Sequence, residues 1–201
     1  MNSLKFLFDL DRTVCTKNAM TIFSAEFDIC AEIRQLEDEI ENGNIPFVEG
    51  FIKKMQLLGK LPVDKVNETL QSTEIYPELR AFIKANADRC VLLTENVSCW
   101  YKRFSAGIDC EFYASEGIEK NNRVEKIARI LKKEAIVEKY RQEGYTVVFI
   151  GNSILDSEAM RTADISIAFG KNNYPSKRVL PMVNYLIFNE KTLCRQLNQL
   201  S

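Results

Sequence analysis

The chain has 201 residues, of which 46% are hydrophobic and 27% charged, the composition of an ordinary globular protein. Its 27 Lys and Arg residues nearly balance its 28 Asp and Glu residues, so charge gives no basis for a nucleic-acid partner or an anionic membrane surface. No apolar run approaches the roughly 18 residues of a membrane span, and the six scattered cysteines are typical of reduced thiols. We therefore expect a cytoplasmic protein, monomer or homodimer, without a nucleic-acid or membrane partner.

The sequence contains no histidine. A Ser-His-Asp or Cys-His hydrolase and a His-ligated zinc site are therefore excluded. Any acid–base chemistry must use carboxylates, lysine, tyrosine or cysteine.

The chain begins with an apolar stretch, residues 4–8, that ends in two carboxylates, Asp9 and Asp11. Because residues two apart in a strand point the same way, both acids can converge on one site at the strand's carboxyl end. Two neighbouring carboxylates repel each other unless a cation lies between them, and a hard divalent metal prefers oxygen ligands. The plainer interpretation is a strand followed by an Asp-rich turn.

Residues 15–75 have the periodicity of helices. Apolar side chains recur three or four residues apart in three stretches, residues 29–40, 47–58 and 63–70. Gly43 follows the first stretch as a stop signal, and Pro46 and Pro62 precede the other two. This pattern predicts the core of a small helical unit.

From Tyr76 onward, predicted helices and strands alternate. The predicted strands are residues 90–93, 110–113, 146–150 and 165–169. The predicted helices include residues 77–87, 98–104 and one capped by Asn121 or Asn122, with a face of Val124, Ile127, Ile130 and Leu131. Such alternation predicts an α/β fold with a doubly wound, Rossmann-like parallel sheet. Residues 1–14 and 76–201 would form the core domain, and residues 15–75 a helical cap inserted after the first strand.

Three of the predicted strands end in polar residues: Asp9 and Asp11, then Thr94, then Asn152 with Asp156. In doubly wound sheets, ligands bind outside the carboxyl ends of strands, near the point where the strand order reverses. Each ending alone is a weak signal. Together they predict one site.

These endings resemble the motifs of the haloacid dehalogenase superfamily. Residues 9–13, Asp-Leu-Asp-Arg-Thr, match its first motif, D-x-D-x-T, and Thr94 matches the hydroxyl of its second. Residues 151–156 match G-D-x-x-x-D except at Asn152. The resemblance covers essentially the whole chain and is closest to the phosphoserine-phosphatase-like branch.

The resemblance implies a Mg²⁺-dependent phosphatase that acts on a small phosphorylated metabolite. Asp9 would be the nucleophile that forms an aspartyl-phosphate, and Asp11 would protonate the leaving alcohol and then activate water. Thr94 would hydrogen-bond a phosphate oxygen. Asp9, the Asp11 carbonyl and Asn152 would bind Mg²⁺, with Asp156 holding a metal-bound water.

The resemblance also implies a lysine that neutralises the phosphate. Lys126, near the start of the predicted helix, fits best by spacing. Lys120 and Arg123 remain candidates, because this motif has little sequence signature. Each of these basic residues also has a plainer interpretation as part of a solvated helix face.

Several positions depart from the family pattern. Asn152 offers a neutral oxygen where the family has a carboxylate, and Glu95 adds a carboxylate beside the phosphate site. The family's substrate-binding glutamate and cap arginine fall on Asn18 and Lys54. The predicted substrate-binding residues are therefore Asn18, Lys54, Glu95 and Asn96, and phosphoserine is not the natural expectation.

Two functions from different classes follow. The first is a phosphatase that uses Asp9, favoured by the retained Asp9, Asp11, Thr94 and Asp156; within an active enzyme, phosphotransfer to an acceptor other than water stays open. The second is a degenerate member of the family that acts as a binding or regulatory module, favoured by Asn152 and Glu95. A receiver-type phosphoacceptor also uses Asp, Thr and Lys, but the helical insertion and the chain length count against it.

Overall fold

A computed structural model describes residues 3–17, 19, 22 and 26–200 of the chain. Its strands are β1 (Leu4–Asp9), β2 (Cys90–Val97), β3 (Glu111–Lys120), β4 (Arg123–Arg129), β5 (Thr146–Gly151), β6 (Ile165–Phe169) and β7 (Tyr185–Ile187). They form one sheet in the order β4-β3-β2-β1-β5-β6-β7. All neighbouring pairs are parallel except β3 with β4. The predicted doubly wound α/β fold is confirmed.

The helices among the described residues are α1 (Cys30–Asn42), α2 (Phe47–Leu58), α3 (Val63–Gln71), α4 (Pro77–Ala85), α5 (Lys102–Ala106), α6 (Lys133–Gln142), α7 (Ser157–Thr162) and α8 (Glu190–Leu200). None of these has the length and apolarity that crossing a bilayer requires. The three predicted helices between β1 and β2 that rest on apolar periodicity are confirmed as α1, α2 and α3. Gly43 ends α1 in the left-handed region at φ 75°, a conformation that glycine adopts without strain. Pro46 and Pro62 precede α2 and α3 with extended backbone.

Strand β1 lies at the centre of the sheet and is buried on both faces. Phe6 and Phe8 belong to one hydrophobic cluster, in which the ring of Phe82 from α4 packs edge-on against Phe6 at 5.3 Å. Leu7 points the other way, into a second cluster with Val137 of α6 and Met160 of α7. Helices on both faces explain why β1 is a continuous apolar run rather than an alternating one.

The chain leaves and re-enters the sheet region at one point. Cys15 and Ile75 form an antiparallel bridge, and the Tyr76 amide donates to the Val14 carbonyl at 3.1 Å. Helices α1, α2 and α3 therefore lie in a segment whose two ends are tied together. The division into a core domain and a cap of residues 15–75 stays a prediction.

The predicted helix after Asn121 and Asn122 is wrong. Both residues have positive φ angles, 51° and 59°, and form the turn of the antiparallel β3–β4 hairpin. Two consecutive left-handed residues suit the right-handed twist of a hairpin, and Asn tolerates this conformation better than most residues. Here they make a hairpin turn and not a helix cap, and the next helix, α6, begins only at Lys133.

Candidate active site

Asp9 is the last residue of β1 and lies where the strand order reverses, between β2 and β5. An irregular turn follows it, Leu10–Val14, in which Arg12 has a φ of 63°. Both carboxylate oxygens of the buried Asp9 are engaged. Thr13 Oγ1 donates to Oδ2 at 3.0 Å, and Lys133 Nζ donates to Oδ1 at 2.7 Å.

Lys133 is the basic residue that contacts Asp9, and the sequence analysis missed it. Its Nζ lies 2.7 Å from Asp9, 2.8 Å from Glu95 and 2.7 Å from Asp156, and its side chain is 2% exposed. The available signal was the spacing of Lys133, Val137 and Tyr140, which form the buried face of α6. Lys132, its neighbour in sequence, is exposed.

The basic residues that spacing favoured lie elsewhere. Lys126 is exposed in β4, and Lys120 and Arg123 are exposed on either side of the hairpin turn. Lys126 was placed by assuming a helix that the chain does not form. Its side chain is exposed and lines the groove beside the β3–β4 hairpin, so Lys126 does not lie beside Asp9.

The cluster around Lys133 carries more negative than positive charge. Burial, then repulsion from Asp156, raises the pKa of Asp9 well above its usual value, although Lys133 opposes this. Burial also raises the pKa of Glu95. Burial lowers the pKa of Lys133, but its three carboxylate neighbours outweigh this and raise the pKa overall. A single ammonium therefore leaves the site short of positive charge.

Asp11, Thr94 and Asn96 form a second hydrogen-bonded group in the site. The amide of Ala19 donates to Asp11 Oδ1 at 2.7 Å. Asn96 Nδ2 and Thr94 Oγ1 donate to Oδ2 at 3.0 and 3.3 Å. The structure thus brings together three of the residues predicted for catalysis and substrate binding.

Asn152 and Asp156 close the site from the end of β5. Asp156 is fully buried, and its Oδ2 accepts from the backbone amides of Asn152 and Ser153, both at 2.9 Å. A Cβ at Gly151 would lie 2.6 Å from the Asp156 carboxyl group, so only glycine allows this approach. The Asn152 side-chain amide donates to the Arg12 carbonyl at 3.0 Å.

A cavity of about 250 Å³ opens onto these residues. Its floor includes Asp9, Asp11, Glu95, Asn96 and Asn152, and its walls include Glu37, Phe47 and Lys54 of α1 and α2 and Tyr174 of the loop after β6. Lys54 Nζ lies 3.9 Å from the Glu37 carboxylate. Asn18, predicted to bind substrate, is outside the described residues.

A larger groove of about 1230 Å³ lies between the helices α1 and α2 and the β3–β4 hairpin. It contains Lys126 but none of the carboxylates at the strand ends. Since chemistry needs the reactive side chains to face the ligand, we place the candidate active site in the smaller cavity.

The smaller cavity fits a divalent cation in charge and in the kind of donor it offers. Among the described residues, no group of three or more Asp, Glu, Cys or His side chains is arranged to hold a metal by itself. A cation here would therefore also need amide, backbone or substrate oxygens beside Asp9, and Asn152 lines the same cavity. Oxygen donors and a surplus of carboxylates suit a hard ion such as Mg²⁺.

Known proteins share this fold. A substrate-bound phosphoserine phosphatase complex superimposes with a TM-score of 0.80 at 18% identity, covering 99% of this chain and 98% of that one. A phospho-aspartyl intermediate analogue of phosphoserine phosphatase gives 0.76 at 20% identity, with 94% of each chain covered. A phosphoserine phosphohydrolase-like protein from Francisella tularensis gives 0.79 at 15% identity, covering 98% of this chain and all of the other.

Sequence comparison points the same way. No curated protein sequence matches this chain. The family model of haloacid dehalogenase-like hydrolases, however, matches residues 6–161. That span runs from β1 through the Gly151–Asp156 turn, so it includes the strand ends that carry Asp9, Glu95 and Asn152. The chain belongs to the haloacid dehalogenase-like hydrolase family.

Proposed function

We propose that this protein is a Mg²⁺-dependent phosphatase that hydrolyses a small phosphomonoester through an aspartyl-phosphate on Asp9. The observation that carries the proposal is the position of Asp9, held between Thr13 and Lys133 at the floor of the cavity. The similarity to phosphatases, one of them a phospho-aspartyl intermediate analogue, supports it.

In the first step, a carboxylate oxygen of Asp9 attacks phosphorus, and the bond from phosphorus to the ester oxygen breaks. Asp11 donates a proton to the departing alkoxide, which leaves as an alcohol. In the second step, Asp11 takes a proton from water, the resulting hydroxide attacks phosphorus, and Asp9 is released with inorganic phosphate. Asn96, which donates to Asp11 Oδ2, holds its carboxyl group in place for both proton transfers. Thr94 donates to the same oxygen in this structure, and its single hydroxyl hydrogen would turn to the phosphate when substrate binds.

Lys133 and Thr94 provide the donors at the phosphate site. The Lys133 ammonium offsets the negative charge of the transferring group, and the buried Thr94 hydroxyl hydrogen-bonds a phosphate oxygen. Asp156 acts through Lys133, since its Oδ1 accepts from Nζ while its Oδ2 is held by two backbone amides. We therefore assign Asp156 a positioning role.

Asp9, Asn152 and the Asp11 carbonyl would hold Mg²⁺. When bound, the ion neutralises charge on the phosphate and on the carboxylates around Lys133. Asn152 would contribute a neutral oxygen, so we expect weaker metal binding than a carboxylate at this position would give.

Residues 15–75 would act as a cap over the cavity, in a cytoplasmic enzyme. Phe47 and Lys54 already line the cavity from α2. Lys54 would attract the anionic substrate. Its ion pair with Glu37 partly neutralises it, which argues against a role in binding a substrate carboxylate.

The test is the substitution Asp9→Asn. It should reduce hydrolysis of p-nitrophenyl phosphate to background, because an amide is not a nucleophile here, and it should abolish trapping of a beryllofluoride adduct. Asp38→Asn, an exposed residue at the rim of the same cavity, is the matched control and should retain activity. Unchanged turnover in Asp9→Asn would contradict the proposal.

A second candidate is a phosphate-binding protein without hydrolytic activity. It is favoured by Asn152 and by the Glu95 carboxylate that occupies Lys133. This alternative predicts that the wild type binds inorganic phosphate in a calorimeter yet releases none from phosphomonoesters. Hydrolysis that depends on Asp9 would exclude it.

A further inference from the structure

Lys133 has no donor to spare for a phosphate group. An ammonium has three N–H donors. Those of Lys133 are taken by Asp9, Glu95 and Asp156, with distances of 2.7, 2.8 and 2.7 Å. A phosphate that arrives at Asp9 can therefore bind Lys133 only after one of these carboxylates gives way.

Glu95 is the carboxylate that can give way. Asp156 is fully buried and is also held by the amides of Asn152 and Ser153. Asp9 is 5% exposed and is also held by Thr13. The Glu95 side chain is 15% exposed and lines the cavity, so it has room to turn away from Lys133.

A displaced Glu95 carboxylate then needs a new positive partner. Among the described residues, six carboxylates line the cavity, against two basic side chains, Arg12 and Lys54, and Lys54 is already close to Glu37. A bound dication and a phosphate dianion would cancel each other's charge. The carboxylates still outnumber the basic side chains when Asp11 carries the proton that it donates in the first step, so the cavity favours a ligand that brings a positive charge with it.

The aromatic walls suit the same kind of group. Phe47 and Tyr174 line the cavity that Glu95 faces. The faces of aromatic rings attract alkylammonium groups, and a nearby carboxylate adds to that attraction.

We infer that Glu95 is a specificity-determining residue. Its carboxylate leaves Lys133 when the phosphate binds there, and it then pairs with an ammonium group on the leaving alcohol. The substrates would be phosphomonoesters of small amino alcohols without a carboxylate. This inference rests on the proposed phosphatase site but concerns only what that site selects.

Three non-hydrolysable ligands test it by calorimetry in the presence of Mg²⁺, so that no turnover is needed. They are propylphosphonate, 3-aminopropylphosphonate, which adds only the ammonium, and 2-amino-4-phosphonobutyrate, which adds a carboxylate as well. For the wild type, we expect the ammonium to tighten binding by about fivefold, the size of a partly exposed ion pair. The carboxylate should weaken it again.

In Glu95→Gln, propylphosphonate should bind more tightly than to the wild type, because Lys133 is released more easily, and the preference for the ammonium should disappear. Glu95→Ala, which removes the contact altogether, should give the same two changes. Asp38→Asn is the matched control: it also removes one carboxylate from the cavity, but one that does not touch Lys133, so it should lower the preference for the ammonium less than Glu95→Gln does.

Equal binding of propylphosphonate to the wild type and to both Glu95 variants would overturn the displacement of Glu95. The role of Glu95 in selecting an ammonium group would be overturned by either of two results. One is a preference for the ammonium that persists in both Glu95 variants, and the other is an equal loss of that preference in Asp38→Asn. Neither result bears on Asp9. If Asp9→Asn still hydrolyses phosphomonoesters, the proposed function fails instead.

Discussion

A buried lysine lies at each end of β1, and the surroundings of the two lysines differ. Lys5, near the start of the strand, donates to the Asp88 carbonyl at 2.8 Å and to the Glu111 carboxylate at 3.0 Å, and its Nζ lies 4.8 Å from the centre of the Tyr140 ring. Lys133 lies against Asp9 at the other end of the strand and is surrounded by three carboxylates.

The difference is one of charge balance. In the described part of the chain, Lys5 has a single carboxylate partner, and that side chain, Glu111, is 47% exposed, so water can solvate it. The partners of Lys133 are mostly buried, and they outnumber it. A balanced ion pair stabilises the fold and needs no further cation. A buried surplus of carboxylates, in contrast, destabilises the fold unless a further cation binds. This contrast supports the proposal that the carboxyl end of β1, and not its start, is the reactive end.

The largest expected effect separates the two lysines by activity. Lys133→Met should lower kcat/KM for p-nitrophenyl phosphate by at least about 100-fold, because the phosphate loses its charged donor. Lys5→Met should leave kcat/KM within about twofold and lower the free energy of unfolding by about 1–2 kcal/mol, since its charged hydrogen bonds are lost. Steady-state kinetics and urea unfolding measure both.

The proposed difference between Lys133 and Lys5 would be wrong if Lys133→Met and Lys5→Met lost activity equally while both remained folded. Circular dichroism with and without Mg²⁺ checks the fold of Lys133→Met. That variant leaves three carboxylates without their ammonium, so added Mg²⁺ should stabilise it more than it stabilises Lys5→Met.

A smaller effect, on Mg²⁺ affinity, is expected when a negative charge is added to the acidic site at the carboxyl end of β1. Asn152→Asp should tighten Mg²⁺ binding by about tenfold, because a carboxylate in contact with a dication gains more Coulomb energy than desolvation removes. Titration calorimetry measures it. Asn198→Asp, which adds the same charge at an exposed position of α8, is the control and should have no effect.

An unchanged Mg²⁺ affinity in Asn152→Asp would show that residue 152 does not touch the metal. Tighter binding without higher activity would point instead to Glu95 as the group that limits the reaction.

The smallest expected effects are on the free energy of unfolding, and they should have opposite signs for the carboxylates at the two ends of β1. Burial raises the pKa of Glu95. At Glu111 burial acts the same way, but hydrogen bonds from Tyr140, Lys5 and Tyr113 lower the pKa overall. A raised pKa means that ionisation of Glu95 destabilises the folded state as pH rises above the usual carboxylate range. A lowered pKa means that ionised Glu111 stabilises it, and that this contribution is lost as pH falls.

At neutral pH without metal, Glu95→Gln should therefore raise the free energy of unfolding by about 1 kcal/mol. Glu111→Gln should lower it by about 0.5 kcal/mol, a small value because the side chain is half exposed. Urea unfolding at pH 7.5 would reveal the signs. Two shifts of the same sign would refute the contrast in charge balance.

The sequence by itself predicted much of the local structure. Apolar periodicity located β1 and the helices α1, α2 and α3, because each pattern needs only neighbours a few residues away. The pair Asp9 and Asp11, the hydroxyl of Thr94 and the turn at Gly151 were all found as endings of apolar strands. The family followed from the order and spacing of those endings.

The prediction from local sequence failed where the same residues suit two backbone conformations. Asn121 and Asn122 can cap a helix or form a hairpin turn, and only pairing with β3 decided for the turn. Because of that error the lysine of the site was predicted to be Lys126, whose side chain is exposed on β4.

Tertiary structure alone decided which charges meet. Lys133 and Asp9 are 124 residues apart in sequence, and they touch because α6 packs on the sheet beside β1 and because strand order reverses there. The balance of charge around Lys133, and hence the displaceable role of Glu95, depends on that packing. Periodicity is a property of neighbours in the chain, but an ion pair between distant residues is a property of the completed sheet.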